Sequence, residues 1–162
     1  TQEKVFFQYL HNEKNKLWNQ SVSFQRGVKN ALSLKRLFVI AMGGTASASE
    51  VLINGLRPHL PVVVVGQTTH GKPMGMYVYN FFDKVFAPIS FKLANAEGKG
   101  EFYEGIVPEI EAADDITRQF GDPEEAPLKA VLESIAGPSG QSRLPLRILT
   151  PQKQIPIQRY RC

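Results

Sequence analysis

The sequence predicts an α/β fold in which strands alternate with helices and a β-rich segment is added. Two continuous apolar runs, residues 37–42 and 61–65, have the length and composition of buried strands. Between them, apolar or small residues recur on one helical face, at Ala48, Val51, Leu52, Gly55 and Leu56. Residues 37–65 therefore form a predicted strand–helix–strand unit, the local pattern of α/β layer architectures.

The segment before this unit is predicted to be a β-hairpin. Residues 5–10 are aromatic and β-prone, residues 11–16 are rich in turn formers, and residues 17–24 partly alternate apolar with polar side chains. The helix of the central unit is predicted to end near Arg57, because Pro58 cannot continue it.

The second half of the chain is predicted to be mainly extended, with one further helix. The pattern is β over residues 77–91, and residues 104–112 are also predicted to be extended. A last helix should begin near Pro127, since proline is tolerated at the first helical position, and Gly137 follows its end. Its predicted core face consists of Leu128, Val131, Leu132 and Ile135.

Composition and charge exclude several classes of function. The net charge is +4, but residues 138–162 contain five basic residues and no acidic one, so the remaining body is close to neutral. A nucleic-acid footprint should lie on a folded face, whereas this charge lies on a proline-containing segment that predicts a tail. The single cysteine, Cys162, excludes a disulfide framework and a cysteine-based metal site, and no two histidines have metal-ligand spacing.

The loop after the first buried strand contains a candidate nucleophile. Residues 43–50 read Gly-Gly-Thr-Ala-Ser-Ala-Ser-Glu, which places Ser47 in the first turn of the predicted helix. Unpaired backbone N–H groups and the positive end of the helix dipole favour a developing oxyanion there. The same pattern is also compatible with an ordinary helix start that has Thr45 as its N-cap.

The loop after the second buried strand contains a candidate base. Residues 66–72 read Gly-Gln-Thr-Thr-His-Gly-Lys, and adjacent strands of such a unit are usually neighbours, so Lys72 is expected beside Ser47. A lysine amine that burial keeps neutral can accept a serine proton, and Ser–Lys is one of the convergent variants of the catalytic triad. Taken alone, a lysine such as Lys72 is far more often a solvated surface residue.

The lysine loop also matches most of the phosphate-binding pattern G-x-x-x-x-G-K-[ST]. The match fails because Pro73 has no hydroxyl for Mg²⁺ and because the following residues are strand-like, whereas a phosphate is bound at a helix N-terminus. We therefore expect no nucleotide binding.

The serine loop reads Thr-Ala-Ser-Ala-Ser-Glu at 45–50, and the second strand with its loop reads Val-Val-Val-Gly-Gln-Thr-Thr-His-Gly-Lys at 63–72. Together, these two segments resemble the S41 peptidases, the C-terminal processing or tail-specific proteases. Gly-Ile-Val-Pro-Glu-Ile at 105–110 resembles a further element of that family. The resemblance covers roughly residues 37–136 and implies a ClpP/crotonase-like α/β fold of strand–helix repeats with an added β-rich segment. It further implies that residues 1–137 are the C-terminal half of a catalytic region and that residues 138–162 are a basic tail.

The resemblance implies hydrolysis of peptide bonds through an acyl-enzyme. Ser47 would be the nucleophile, Lys72 its base, and the backbone N–H of Ala48 an oxyanion donor. Glu50 would have a supporting role, and Met76 occupies the position where many members have a glutamine that orients the lysine.

The resemblance also implies an extracytoplasmic location and no metal or organic cofactor. The expected partners are a protein or peptide substrate, and either further copies of the chain or an upstream segment that supplies a second oxyanion donor. The alternative is a binding or assembly module, or an inactive fragment, of the same fold; Met76 favours it and the intact Ser47–Lys72 pair opposes it.

Overall fold

A computed structural model describes residues 4–29 and 31–137. Its strands and helices follow one another as β1 (Val5–Leu10), β2 (Gln20–Ser23), β3 (Leu37–Ala41), α1 (Ala48–Leu56), β4 (Val62–Gly66), β5 (Met74–Met76), β6 (Tyr79–Phe81), β7 (Lys84–Phe86), β8 (Ile89–Asn95), β9 (Ile110–Glu111) and α2 (Ala126–Ala136). A 3-10 helix, Glu13–Trp18, lies between β1 and β2. The predicted tail, residues 138–162, lies outside the described residues.

The predicted strand–helix–strand unit is present. Strands β3 and β4 pair in parallel, with Val39 opposite Val64, and β9 joins the other side of β4. Apolar residues of both strands and of α1 form the core with Ile106, and α2 packs against the same two strands. Because β3 and β4 are parallel, the loops that follow them emerge at the same edge of the sheet.

A second, antiparallel sheet has the strand order β2-β1-β8-β5. It confirms the predicted N-terminal hairpin, although the second strand begins at Gln20 because the 3-10 helix occupies residues that were predicted to start it. Strand β1 also pairs with β8, with Phe7 opposite Asn95. This pairing brings β1, near the start of the described chain, against α1, the helix that follows the serine loop.

The predicted apolar faces of both helices are partly wrong. In α1 the buried residues are Glu50, Val51, Ile53 and Gly55, whereas Leu52 is half-exposed. In α2 the buried residues are Pro127 and Val131, and the predicted Leu132 and Ile135 are half-exposed. Apolar periodicity misplaces the face of α1 because a carboxylate occupies one of its most buried positions.

The region that was predicted as continuous β structure over residues 77–91 is divided into shorter strands. Strands β6 and β7 form a two-stranded sheet that pairs with no other strand of the described residues. Only two residues of the predicted extended segment 104–112 pair as a strand, namely β9. No helix within residues 4–29 and 31–137 is long and apolar enough to cross a membrane.

Candidate active site

Ser47 lies at the turn between β3 and α1, where it is the N-cap residue of the helix. Its backbone has φ 54° and ψ −113°, a conformation that residues other than glycine rarely adopt and that functional sites often contain. The alternative N-cap, Thr45, is wrong. Its Oγ1 accepts the N–H of Met42 at 3.0 Å, and its carbonyl accepts the N–H of His70 at 2.8 Å.

Glu50 connects the turn of Ser47 to the loop of Lys72. Its side chain has no exposed surface, and its Oε2 accepts the backbone N–H of Ser47 and that of Lys72, each at 2.8 Å. Its Oε1 accepts the N–H of Gly71 at 2.6 Å and the hydroxyl of Thr69. Four donors therefore converge on one buried carboxylate, which fills the acceptor sites that an ionised glutamate offers.

These contacts limit the distance between the two candidate catalytic residues. Because both backbone nitrogens lie 2.8 Å from the same oxygen, Ser47 N and Lys72 N are no more than twice that distance apart, 5.6 Å. The two loops thus lie side by side, as the parallel strands predict. Among the described residues, no carboxylate forms an ion pair with Lys72 Nζ, and no hydrogen bond joins it to Ser47 Oγ. The pairing of the two side chains stays a prediction.

Glu50 is held in its ionised form. Burial would raise the pKa of this carboxyl, but hydrogen bonds from the Thr69 hydroxyl and from the N–H groups of Lys72, Gly71 and Ser47 outweigh it. The pKa of Glu50 therefore lies below the ordinary 4.5. Since all four partners are donors, protonation of the carboxylate would place a fifth hydrogen among them and leave at least one donor without an acceptor.

Thr69 is a residue of this site that sequence reasoning missed. Its side chain is buried, and its Oγ1 accepts the N–H of Ile106 at 2.7 Å while the hydroxyl donates to Glu50. Its backbone N–H donates to the Ile106 carbonyl at 3.1 Å. Thr69 thus ties the lysine loop to the segment before β9. No local pattern predicts this role, because Ile106 lies 37 positions away.

Glycine is required at position 71. Its φ is +86°, in the left-handed region, and a Cβ at this position would collide with the carbonyl oxygen of Tyr103. The close approach to the Tyr103 segment fixes the backbone of the lysine loop immediately before Lys72.

Ser47 and Ala48 lie in the wall of a cavity of about 450 Å³. The rest of its lining comes from β1, α1, β5 and β8: Phe6, Phe7, Tyr9, Val51, Leu52, Gly75, Met76, Phe91 and Leu93. Met76 is therefore a wall residue of this cavity, and its side chain offers no strong hydrogen-bonding group. The arrangement combines a strained serine, a neighbouring lysine and an apolar cavity at one sheet edge.

Comparison with known proteins identifies the family to which this chain belongs. The family model of peptidase family S41 matches residues 4–112. The fold is similar to that of a protein from Bacteroides fragilis NCTC 9343 assigned to the S41 proteases, with a TM-score of 0.74 and 24% identity. That match covers 82% of this chain and 36% of the other.

Two further solved structures are more distant. A lipoprotein from Streptococcus agalactiae matches with a TM-score of 0.54 and 16% identity over 68% of this chain and 41% of its own. The photosystem II D1 C-terminal processing protease has a TM-score of 0.39 and 28% identity over 46% of this chain and 19% of its own. No curated protein sequence matches the chain.

The chain belongs to peptidase family S41, because the family model matches more than half of its residues. Its mixed α/β fold is similar to that of the Bacteroides fragilis protein. The chain spans about a third of the length of the Bacteroides fragilis protein.

Proposed function

We propose that this chain carries the serine–lysine pair of a peptidase that hydrolyses peptide bonds in protein substrates through an acyl-enzyme. Ser47 Oγ attacks the scissile carbonyl while the neutral amine of Lys72 takes its proton. The C–N bond then breaks, and Lys72 returns that proton to the leaving amine. A water molecule attacks the ester, Lys72 takes a proton from it, and the C–Oγ bond breaks as the serine hydroxyl is restored.

The observation that carries this proposal is the double use of Glu50 Oε2, which accepts the N–H groups of both Ser47 and Lys72. Proton transfer requires the nucleophile and its base to be held within hydrogen-bond reach. A buried, ionised carboxylate that binds both backbones supplies such positioning without touching the substrate. We assign Glu50 this positioning role.

We assign the first oxyanion donor to the backbone N–H of Ala48. Ala48 is the first residue of α1, so its N–H has no acceptor within the helix, and the residue lines the cavity beside Ser47. The charge that develops on the attacked carbonyl oxygen would be stabilised by this N–H and by the helix dipole.

The wider assignments follow the family resemblance. We propose the ClpP/crotonase-like arrangement for the complete catalytic domain and an extracytoplasmic location for the protein. The substrates are proteins or peptides, and the second oxyanion donor is supplied by a segment upstream of this chain or by another copy.

The test uses the full-length protein that contains this chain, a denatured protein substrate and a fluorophosphonate probe that labels activated serines. Ser47→Ala should abolish labelling and lower turnover at least about 10⁴-fold, and Lys72→Met should do the same. Ser49→Ala is the matched control for the serine, since Ser49 is exposed two residues further along the chain. Lys84→Met is the control for the lysine, since Lys84 is exposed on β7.

If the Ser47→Ala or Lys72→Met protein is folded and cleaves the substrate at the normal rate, the proposed mechanism is wrong. A full-length protein with normal folding, no labelling and no turnover would instead support the non-catalytic alternative, which Met76 favours.

A further inference from the structure

The cavity beside Ser47 has an apolar lining that contains no charged residue. Ser47 and Tyr9 are the lining residues whose side chains carry a hydroxyl. A charged side chain that entered it would lose its hydration without gaining a partner of opposite charge, whereas an apolar side chain would gain from leaving water.

Two aromatic rings of the lining are seated against glycines. A Cβ on Gly55 of α1 would lie 2.6 Å from the ring of Phe6, and a Cβ on Gly75 of β5 would collide with the ring of Phe91. The Phe91 ring also makes an edge-to-face contact with Tyr9, with centroids 4.8 Å apart. Because the glycines let these rings lie directly on the backbone, the walls are fixed by main-chain packing.

The volume of the cavity is sufficient for a large side chain. An apolar protein cavity of about 150 Å³ binds benzene, and the cavity beside Ser47 is about three times as large, at about 450 Å³. Leu52 and Met76 are the large apolar side chains of the lining that are half-exposed, so they form the rim that an entering side chain passes. The thioether of Met76 can adapt to side chains of different shape.

We infer that this cavity binds the side chain of the substrate residue whose carbonyl is attacked, and that it selects large apolar side chains of the phenylalanine and leucine class. The inference rests on the proposed function of Ser47. Since Ser47 and Ala48 form part of the wall, the carbonyl that they attack and polarise lies at the mouth of the cavity, and the adjacent side chain is directed into it. Met76 thus lines the substrate subsite, at the position where relatives place a group for the lysine.

The first experiment compares kcat/KM of the full-length protein for peptides that differ only in the residue before the scissile bond. Phenylalanine and leucine should exceed alanine by about 10- to 150-fold, the ratio that full burial of such a side chain provides. Aspartate should be the poorest. Equal rates for phenylalanine, alanine and aspartate would overturn the inference.

The second experiment changes the rim. Leu52→Arg should lower kcat/KM for the phenylalanine peptide at least about tenfold and raise it for the aspartate peptide, because the guanidinium can pair with the carboxylate. Leu132→Arg is the matched control, since Leu132 is a leucine of similar exposure on α2 and is absent from the lining. Unchanged selectivity in a folded Leu52→Arg protein would overturn the assignment.

Failure of the inference is distinguishable from failure of the proposed function. If fluorophosphonate labelling depends on Ser47 but the peptides are cleaved at equal rates, the subsite is refuted and the mechanism remains supported. If labelling is absent, the same peptides are assayed for binding to the Ser47→Ala protein by fluorescence anisotropy. Tighter binding of the phenylalanine peptide would then support the cavity as a binding site, and equal binding would refute it.

Discussion

Replacement of Glu50 by glutamine tests the connection between the serine turn and the lysine loop. The substitution conserves shape and removes the charge, but it also replaces one acceptor oxygen by an NH₂ group. Each oxygen of Glu50 accepts two hydrogen bonds. Whichever way the amide is turned, its NH₂ group faces two donors.

The expected cost follows from this geometry. A buried donor that loses its partner costs about 1–3 kcal/mol, so two such donors destabilise the fold by about 2–6 kcal/mol. Native domains have a total unfolding free energy of about 5–15 kcal/mol, so the loss is a large fraction of it. Turnover should fall as well, because the backbones of Ser47 and Lys72 lose their common acceptor.

Urea unfolding of the full-length protein, monitored by circular dichroism, measures the effect. Glu124→Gln is the matched control: Glu124 is an exposed partner of Lys129, and its replacement should change the unfolding free energy by no more than about 0.5 kcal/mol. If Glu50→Gln is as stable as Glu124→Gln, Glu50 does not hold the two loops together.

Three further predictions concern the same connection. The pKa of Glu50 lies below 4.5 in the folded protein, so its ionised form stabilises the fold above pH 4.5, and this stabilisation is lost as the pH falls through the pKa of the folded state. The urea midpoint of the unsubstituted protein should therefore decrease between pH 7 and pH 3, and the decrease should be smaller in Glu50→Gln. Thr69→Val should destabilise the protein by about 2 kcal/mol or more, since Glu50 and the N–H of Ile106 each lose a hydrogen-bond partner. Thr68→Val is the control and should have little effect on urea unfolding, because Thr68 is exposed. Gly71→Ala should cost more than about 2 kcal/mol and lower kcat, because its φ and the Tyr103 carbonyl exclude a Cβ; a thermally stable, fully active variant would contradict this.

The sequence predicts the neighbouring position of the loops that contain Ser47 and Lys72, but it does not predict the groups that hold these loops together. Two apolar strands joined by a helix are usually parallel neighbours, so residues that follow their carboxyl ends are expected to lie together, as they do here. The buried position of Glu50 is not predictable from apolar periodicity, because its cost is offset by four donors, two of which lie more than 20 positions away. Thr69 was missed for the same reason. The separate β6–β7 hairpin was not predicted, because its aromatic and β-branched residues favour a strand in any sheet although all six of its paired residues are exposed.

The pairing of β1 with β8 determines when the cavity can form during synthesis. Gln8 and Asn95 are joined by a hydrogen bond across 87 positions, whereas the strand–helix–strand unit of Ser47 is local. At about 5–20 residues per second, a ribosome adds those positions in roughly 4–17 s. For that time β1 can pair only with β2, so Phe6 and Phe7 lack the neighbouring strand β8 that completes the cavity wall. Chaperones that bind exposed aromatic segments therefore have a defined interval in which to act on this part of the nascent chain, before the cavity walls close.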